Sequence, residues 1–160
     1  MMLREILYKK TIEPIAALIK QGISPEKISM GMASGIVLGV FPVLGSTTIL
    51  CGLAAIILRL NLPAIQLVNY MVYPLQLVLL IPFFHLGNLL FQVDPLPLSA
   101  QEFITLLRSD LWGTIRAFWN TTLHAIVAWL LVSLPTFLIL HFTLLRLIKT
   151  LRFAKFAAQR

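Results

Sequence analysis

Carboxylates are scarce in this chain and badly placed for catalysis. Six Asp and Glu residues stand among 160, and none falls within Ile28–Leu58, Leu60–Val93 or Ala117–Leu145. Those windows therefore hold no candidate for a carboxylate proton relay or a paired acid and base. Cysteine is nearly absent, and Cys51 alone forms neither an internal disulfide nor a cysteine metal cluster. His85, His124 and His141 are dispersed, without the H-E-x-x-H spacing of a zinc helix, and no glycine-rich phosphate loop is present. The sequence thus predicts no catalytic residue, no metal and no cofactor.

What is present is apolar. With 59% hydrophobic residues, 12% charged residues and a mean hydropathy of +0.91, an ordinary soluble domain is excluded. The expected fold class is an all-α integral membrane protein in a single domain. A net charge of +7 raises the question of nucleic acid, but the basic residues flank apolar segments and suit an anionic leaflet better. No nucleic-acid partner is expected. Residues 1–21 carry helical spacing interrupted by Pro14, which predicts two short surface helices, and they lack the apolar core of a signal peptide.

The most informative segment is Ile28–Leu58, 31 residues without charge, interrupted at Phe41-Pro42-Val43-Leu44-Gly45. A crossing needs roughly 20 apolar residues for a hydrocarbon core of about 30 Å, so the run is too long for one span and too short for two. A break at Pro42 and Gly45 leaves two half-length helices, which predicts a re-entrant helical hairpin over about residues 25–60. Ser24-Pro25-Glu26 reads as a helix start, with a hydroxyl cap, proline in the first turn and an acid at the positive end. Gly31, Gly35 and Gly39 fall on one helical stripe that lets a neighbour approach closely, and the returning half, Thr47–Leu58, is the expected neighbour.

Two transmembrane helices are expected after the hairpin, at about 63–92 and 117–145, the second kinked at Pro135. Between them, residues 94–116 read as an external amphipathic loop with a capped surface helix from about Ala100 to Ser109. Residues 146–160 read as a basic cytoplasmic tail. Charge supports this topology: with a hairpin, eleven Lys and Arg lie inside against Arg108 and Arg116 outside, whereas three full crossings divide them seven to six. Both termini are then cytoplasmic.

Taken together, Gly22-Ile-Ser-Pro25, Gly31-x-Ala33-x-Gly35, Gly39-x-x-Pro42-x-x-Gly45, Arg59-Leu-Asn61-Leu-Pro63 and Pro74 resemble the uncharacterised bacterial membrane family called domain of unknown function 2062, over about Gly22–Leu90. Thr47 and Tyr73 stand where that family usually carries glutamine and asparagine. The family has no assigned activity. Fusion of some relatives to a glycosyltransferase domain implies a link to envelope glycolipid or polysaccharide assembly.

Gly45-Ser46-Thr47-Thr48 brings hydroxyls and unpaired backbone N–H groups to the positive end of the returning helix, an arrangement that favours an anion or a phosphate headgroup. Candidate site residues are Pro42, Gly45, Ser46, Thr47, Thr48, Arg59, Asn61, Tyr73 and Pro74. Gln66, Asn69 and Gln76 either line a polar path or cross-link helices. The leading expectation is transport or flipping of an anionic or lipid-phosphate substrate by a homo-oligomer among membrane lipids. The alternative is a non-catalytic scaffold that anchors an envelope-assembly enzyme.

Overall fold

A computed structural model describes residues 23–93, 105 and 108–157 of the chain, with side chains as far as Thr150. The described residues contain four long helices and no strand: α1 (Pro25–Gly39), α2 (Thr47–Ile57), α3 (Leu62–Phe91) and α4 (Leu111–Ala157). The surface helices expected within residues 1–21, and most of the one expected at Ala100–Ser109, lie outside the described residues.

Local chemistry sets each boundary. Ser24 Oγ accepts from the Lys27 N–H at 3.4 Å, with Pro25 and Glu26 in the first turn of α1. Pro42 has no N–H to donate and disfavours helical backbone before it, so α1 ends at Gly39. Gly45 turns the chain with φ +82°, in the left-handed region that glycine reaches without strain. Asn61 Oδ1 caps α3 by accepting from the Ala64 N–H at 3.0 Å. Helix α4 starts at Leu111, not near Ala117, because Asp110 acts as its N-cap and accepts from the Gly113 N–H at 2.8 Å. Residues 111–116 are therefore helix where the sequence predicts loop, and the basic segment after Leu145 continues the same helix as far as Ala157.

α2 and α3 end alike. The Leu60 N–H bonds to the Ala55 carbonyl at 2.8 Å and the Arg59 N–H to the Ile56 carbonyl at 3.3 Å, while Arg59 takes φ 52°. Gln92 repeats this at the end of α3, with φ 53° and the Val93 N–H on the Asn88 carbonyl at 3.0 Å. Both are Schellman closures with a side-chain-bearing residue at the position usually given to glycine.

Interhelical contacts fix the directions. Gly35 packs on Ile65 and Val68, Gly39 on Asn69 and Val72, and the Phe41 carbonyl meets Gln76. The numbers rise together, so α1 and α3 run the same way. α2 is the return stroke that brings the chain back to the start of α3. α4 runs oppositely: Ser29 faces His141 and Val37 faces Trp129. With 15 residues α1 is about 22 Å long, and with 11 residues α2 is about 16 Å. α3, with 30 residues, reaches about 45 Å.

Two small cores hold these helices. Val37, Phe83, Ala125 and Trp129 join α1, α3 and α4, and Cys51, Ala55 and Ile65 join α2 to α3. At Gly87 a Cβ would lie 2.6 Å from the His124 carbonyl carbon and 2.7 Å from the Ala125 nitrogen, so backbone meets backbone where α3 crosses α4. The rest of α3 and α4 is apolar and outward-facing, including Val78, Ile81, Leu134 and Ile139. Both helices are long and apolar enough to cross a membrane, and only 17% of the most apolar window of each is buried, unlike the core helix of a soluble protein. Ser133 and Thr136 beside Pro135 return their hydroxyls to the Leu130 and Val132 carbonyls at 3.0 and 2.7 Å. Such back-bonding is how an apolar helix satisfies hydroxyls without water.

Candidate functional site

The break between α1 and α2 is lined by amides of α3. Gln66 Nε2 donates to the Thr48 carbonyl at 2.8 Å, Asn69 Nδ2 donates to Gln66 Oε1 at 3.2 Å, and Gln76 Nε2 donates to the Phe41 carbonyl at 2.8 Å. Spacings of three and seven residues put all three on one face of α3. Phe41 also packs edge-on against Trp129, with ring centroids 4.9 Å apart, and the Trp129 indole N–H donates to the Val37 carbonyl at 3.1 Å. The unwound backbone is thus held from two sides, by amides of α3 and by an aromatic of α4.

One atom in this arrangement has no partner. Gln76 is 1% exposed, and its Oε1 makes no hydrogen bond within the protein. The N–H on the Phe41 carbonyl fixes which end of the amide is free, since the flipped amide would set two acceptors face to face. A buried acceptor without a donor costs about 1–3 kcal/mol. Among the described residues Asn88 Oδ1 and His124 Nδ1 share this condition, near the Gly87 crossing.

Ser46 sits at the N-cap position of α2 but makes no side-chain cap hydrogen bond. Its Oγ donates back to the Val43 carbonyl at 2.8 Å. The first turn of α2 therefore presents its N–H groups without a hydroxyl cap from Ser46. Thr47 is buried, Gly45 and Thr48 are exposed, and Pro42 is buried at the break.

The other candidate residues are elsewhere. Arg59 and Asn61 lie at the far end of α2, about 16 Å along an 11-residue helix from Thr47, where Arg59 is exposed and Asn61 serves as a cap. Tyr73 and Pro74 are exposed on α3, whereas Gln76 points inward. Of the glycine stripe, a Cβ on Gly35 would lie 2.9 Å from the Ile65 carbonyl oxygen and one on Gly39 3.2 Å from Asn69 Oδ1, whereas a Cβ on Gly31 would meet nothing within 4 Å. Their neighbour is α3, not the expected returning half. α3 runs parallel to α1 and seats its backbone on the stripe, whereas α2 packs through Cys51 and Ala55.

Sequence reasoning missed Trp129, Asn88 and the Ser29–His141 contact at 3.1 Å. A tryptophan in the middle of an uncharged span was the available signal for the first. Among the described residues no three of His, Cys, Asp and Glu gather as a metal site.

No curated protein and no solved structure matches the chain. A family profile does match, over residues 13–156, which is nearly the whole length. The chain accordingly belongs to the family of uncharacterized proteins conserved in bacteria known as domain of unknown function 2062.

Proposed function

We propose that the protein is a small polytopic protein of the bacterial inner membrane in which α1 and α2 form a re-entrant hairpin, and that the hairpin break binds an anionic or lipid-phosphate group during transport or flipping. The observation that carries this reading is the uncapped first turn of α2, opened by Ser46 turning back to Val43. Free N–H groups at a helix N-terminus, set in a low-dielectric interior, favour a phosphate oxygen over water. The lengths agree with a hairpin: about 22 and 16 Å fall short of a core of about 30 Å, while α3 and α4 exceed it. The parallel course of α1 and α3 requires the chain to double back between them. Two crossings and one hairpin make a thin wall, so the working unit in this reading is a homo-oligomer. The role is non-enzymatic, and both termini are cytoplasmic.

Flipping of a fluorescent phospholipid in liposomes containing the full chain tests the reading. Thr47→Val with Thr48→Val should slow flipping by on the order of tenfold per hydroxyl lost. Wild-type rates equal to those of empty liposomes would remove the transport reading.

The second reading, a scaffold for an envelope-assembly enzyme, is favoured by one observation. Lys27, Arg59, Arg146 and Lys149 are all exposed toward the end of the bundle where α1 starts and the later turns of α4 pack. Under that reading, neutralising Lys149, Arg152 and Lys155 abolishes enzyme capture and leaves lipid movement unchanged.

A further inference from the structure

We infer that the hairpin break also holds a monovalent cation, with Gln76 Oε1 as its side-chain ligand beside the carbonyl end of α1. The sign follows from what is missing. Gln76 Oε1, buried and without a partner within the protein, is a carbonyl oxygen. What this interior lacks is a donor or a positive charge.

The surroundings point the same way. α1 ends at Gly39 with no basic residue in its last turn, so the negative end of its dipole is not neutralised there. Phe41, whose carbonyl holds the Gln76 amide, lies two residues beyond that end. Between Lys27 and Arg59, and again between Arg59 and Arg108, the sequence carries no Lys or Arg that could supply the charge. Gln76 is the fifteenth of the 30 residues of α3, so under the proposed topology it sits at the bilayer midplane. Unwound backbone carbonyls and half-helix C-terminal ends are where membrane transporters coordinate Na⁺. Neutral oxygens without a carboxylate suit Na⁺ or K⁺ and not a divalent ion, which takes charged ligands.

The inference rests on the anion reading for its countercharge. Only Val40–Ser46 separates the end of α1 from the start of α2, so cation and phosphate would occupy opposite half-helix ends across one short connection. Each should then strengthen binding of the other.

Thermal unfolding of the full chain in lipid nanodiscs tests this, comparing NaCl, KCl and choline chloride at equal ionic strength. The expected result is a rise in Tm with Na⁺ or K⁺ over choline that Gln76→Leu abolishes. Gln76→Glu gives the ligand a formal negative charge, at the loss of the amide N–H on the Phe41 carbonyl, and should tighten half-saturation by on the order of tenfold, so the inference does not depend on a variant that merely loses function. Equal Tm in all three salts for the wild type would overturn the cation site and indicate a buried water on Gln76, whatever Gln76→Glu shows. A separate titration with inorganic phosphate at fixed Na⁺ reads the anion site alone. A cation response with no phosphate response overturns the anion reading and leaves the cation site standing, and the converse overturns the cation site.

Discussion

Trp129 donates its indole N–H to the Val37 carbonyl at 3.1 Å, inside the core and 92 residues away in sequence. This bond ties the last turn of α1 to the long helix α4, and the Phe41 ring closes over the same indole edge-on. Trp129→Phe keeps the ring contact and removes the donor, leaving the Val37 carbonyl buried and unpaired. The expected loss is about 1–2 kcal/mol, and Trp129→Ala should lose about 3–5 kcal/mol through the added cavity. Denaturant unfolding in mild detergent measures both. No loss in Trp129→Phe would mean that the hydrogen bond carries nothing of its own.

The glycines should separate cleanly. Gly87→Ala drives a methyl group onto the backbone of His124 and Ala125, which cannot move aside as a side chain can. A destabilisation of about 1–3 kcal/mol is expected. Gly31→Ala meets no described atom within 4 Å and gains helix propensity, so it should be neutral or stabilising by up to about 1 kcal/mol. Similar Tm shifts for the two variants would contradict the helix crossing described.

Arg59 holds a left-handed backbone, φ 52°, while exposing its guanidinium. Arg59→Gly relieves that backbone and should raise stability by about 0.5–1 kcal/mol, whereas the β-branched Arg59→Val should lower it. The glycine variant also removes the charge. A drop in lipid flipping at unchanged or raised Tm would assign Arg59 to the substrate path, and unchanged flipping would leave it as a closing residue alone.

The Glu26–Lys149 pair, at 2.8 Å with both side chains about half exposed, should contribute little. A double-mutant cycle on Glu26→Gln and Lys149→Met is expected to give a coupling under about 1 kcal/mol that fades with added salt. A coupling that survives 1 M salt would point to a drier interface between α1 and α4 than the exposures indicate.

Much of the helical framework was legible because its signals are local. Ser24-Pro25, Pro42, Gly45 and Asn61 each act within a few residues, and the observed boundaries of α1, α2 and α3 follow from them. Asp110 was equally local, yet the charge of Arg116 drew the expected start of α4 six residues too late. The partner of the glycine stripe was not legible, since a spacing of four says that something approaches and not which helix does. Nor was the scatter of the candidate site. Thr47 and Arg59 sit at opposite ends of α2, and Tyr73 and Gln76, three residues apart, differ in whether they face outward or inward.

The central claim is that α1 and α2 leave the membrane on the side where they began. Thiol labelling in intact cells measures this directly, on a background in which the buried Cys51 is replaced by alanine. Lys27→Cys, Arg59→Cys and Asp110→Cys place one thiol each in the first turn of α1, after α2 and before α4. The account predicts that an impermeant reagent added from outside reaches position 110 and spares 27 and 59 until the inner membrane is opened. Labelling of 59 from outside, with 27 protected, would contradict it.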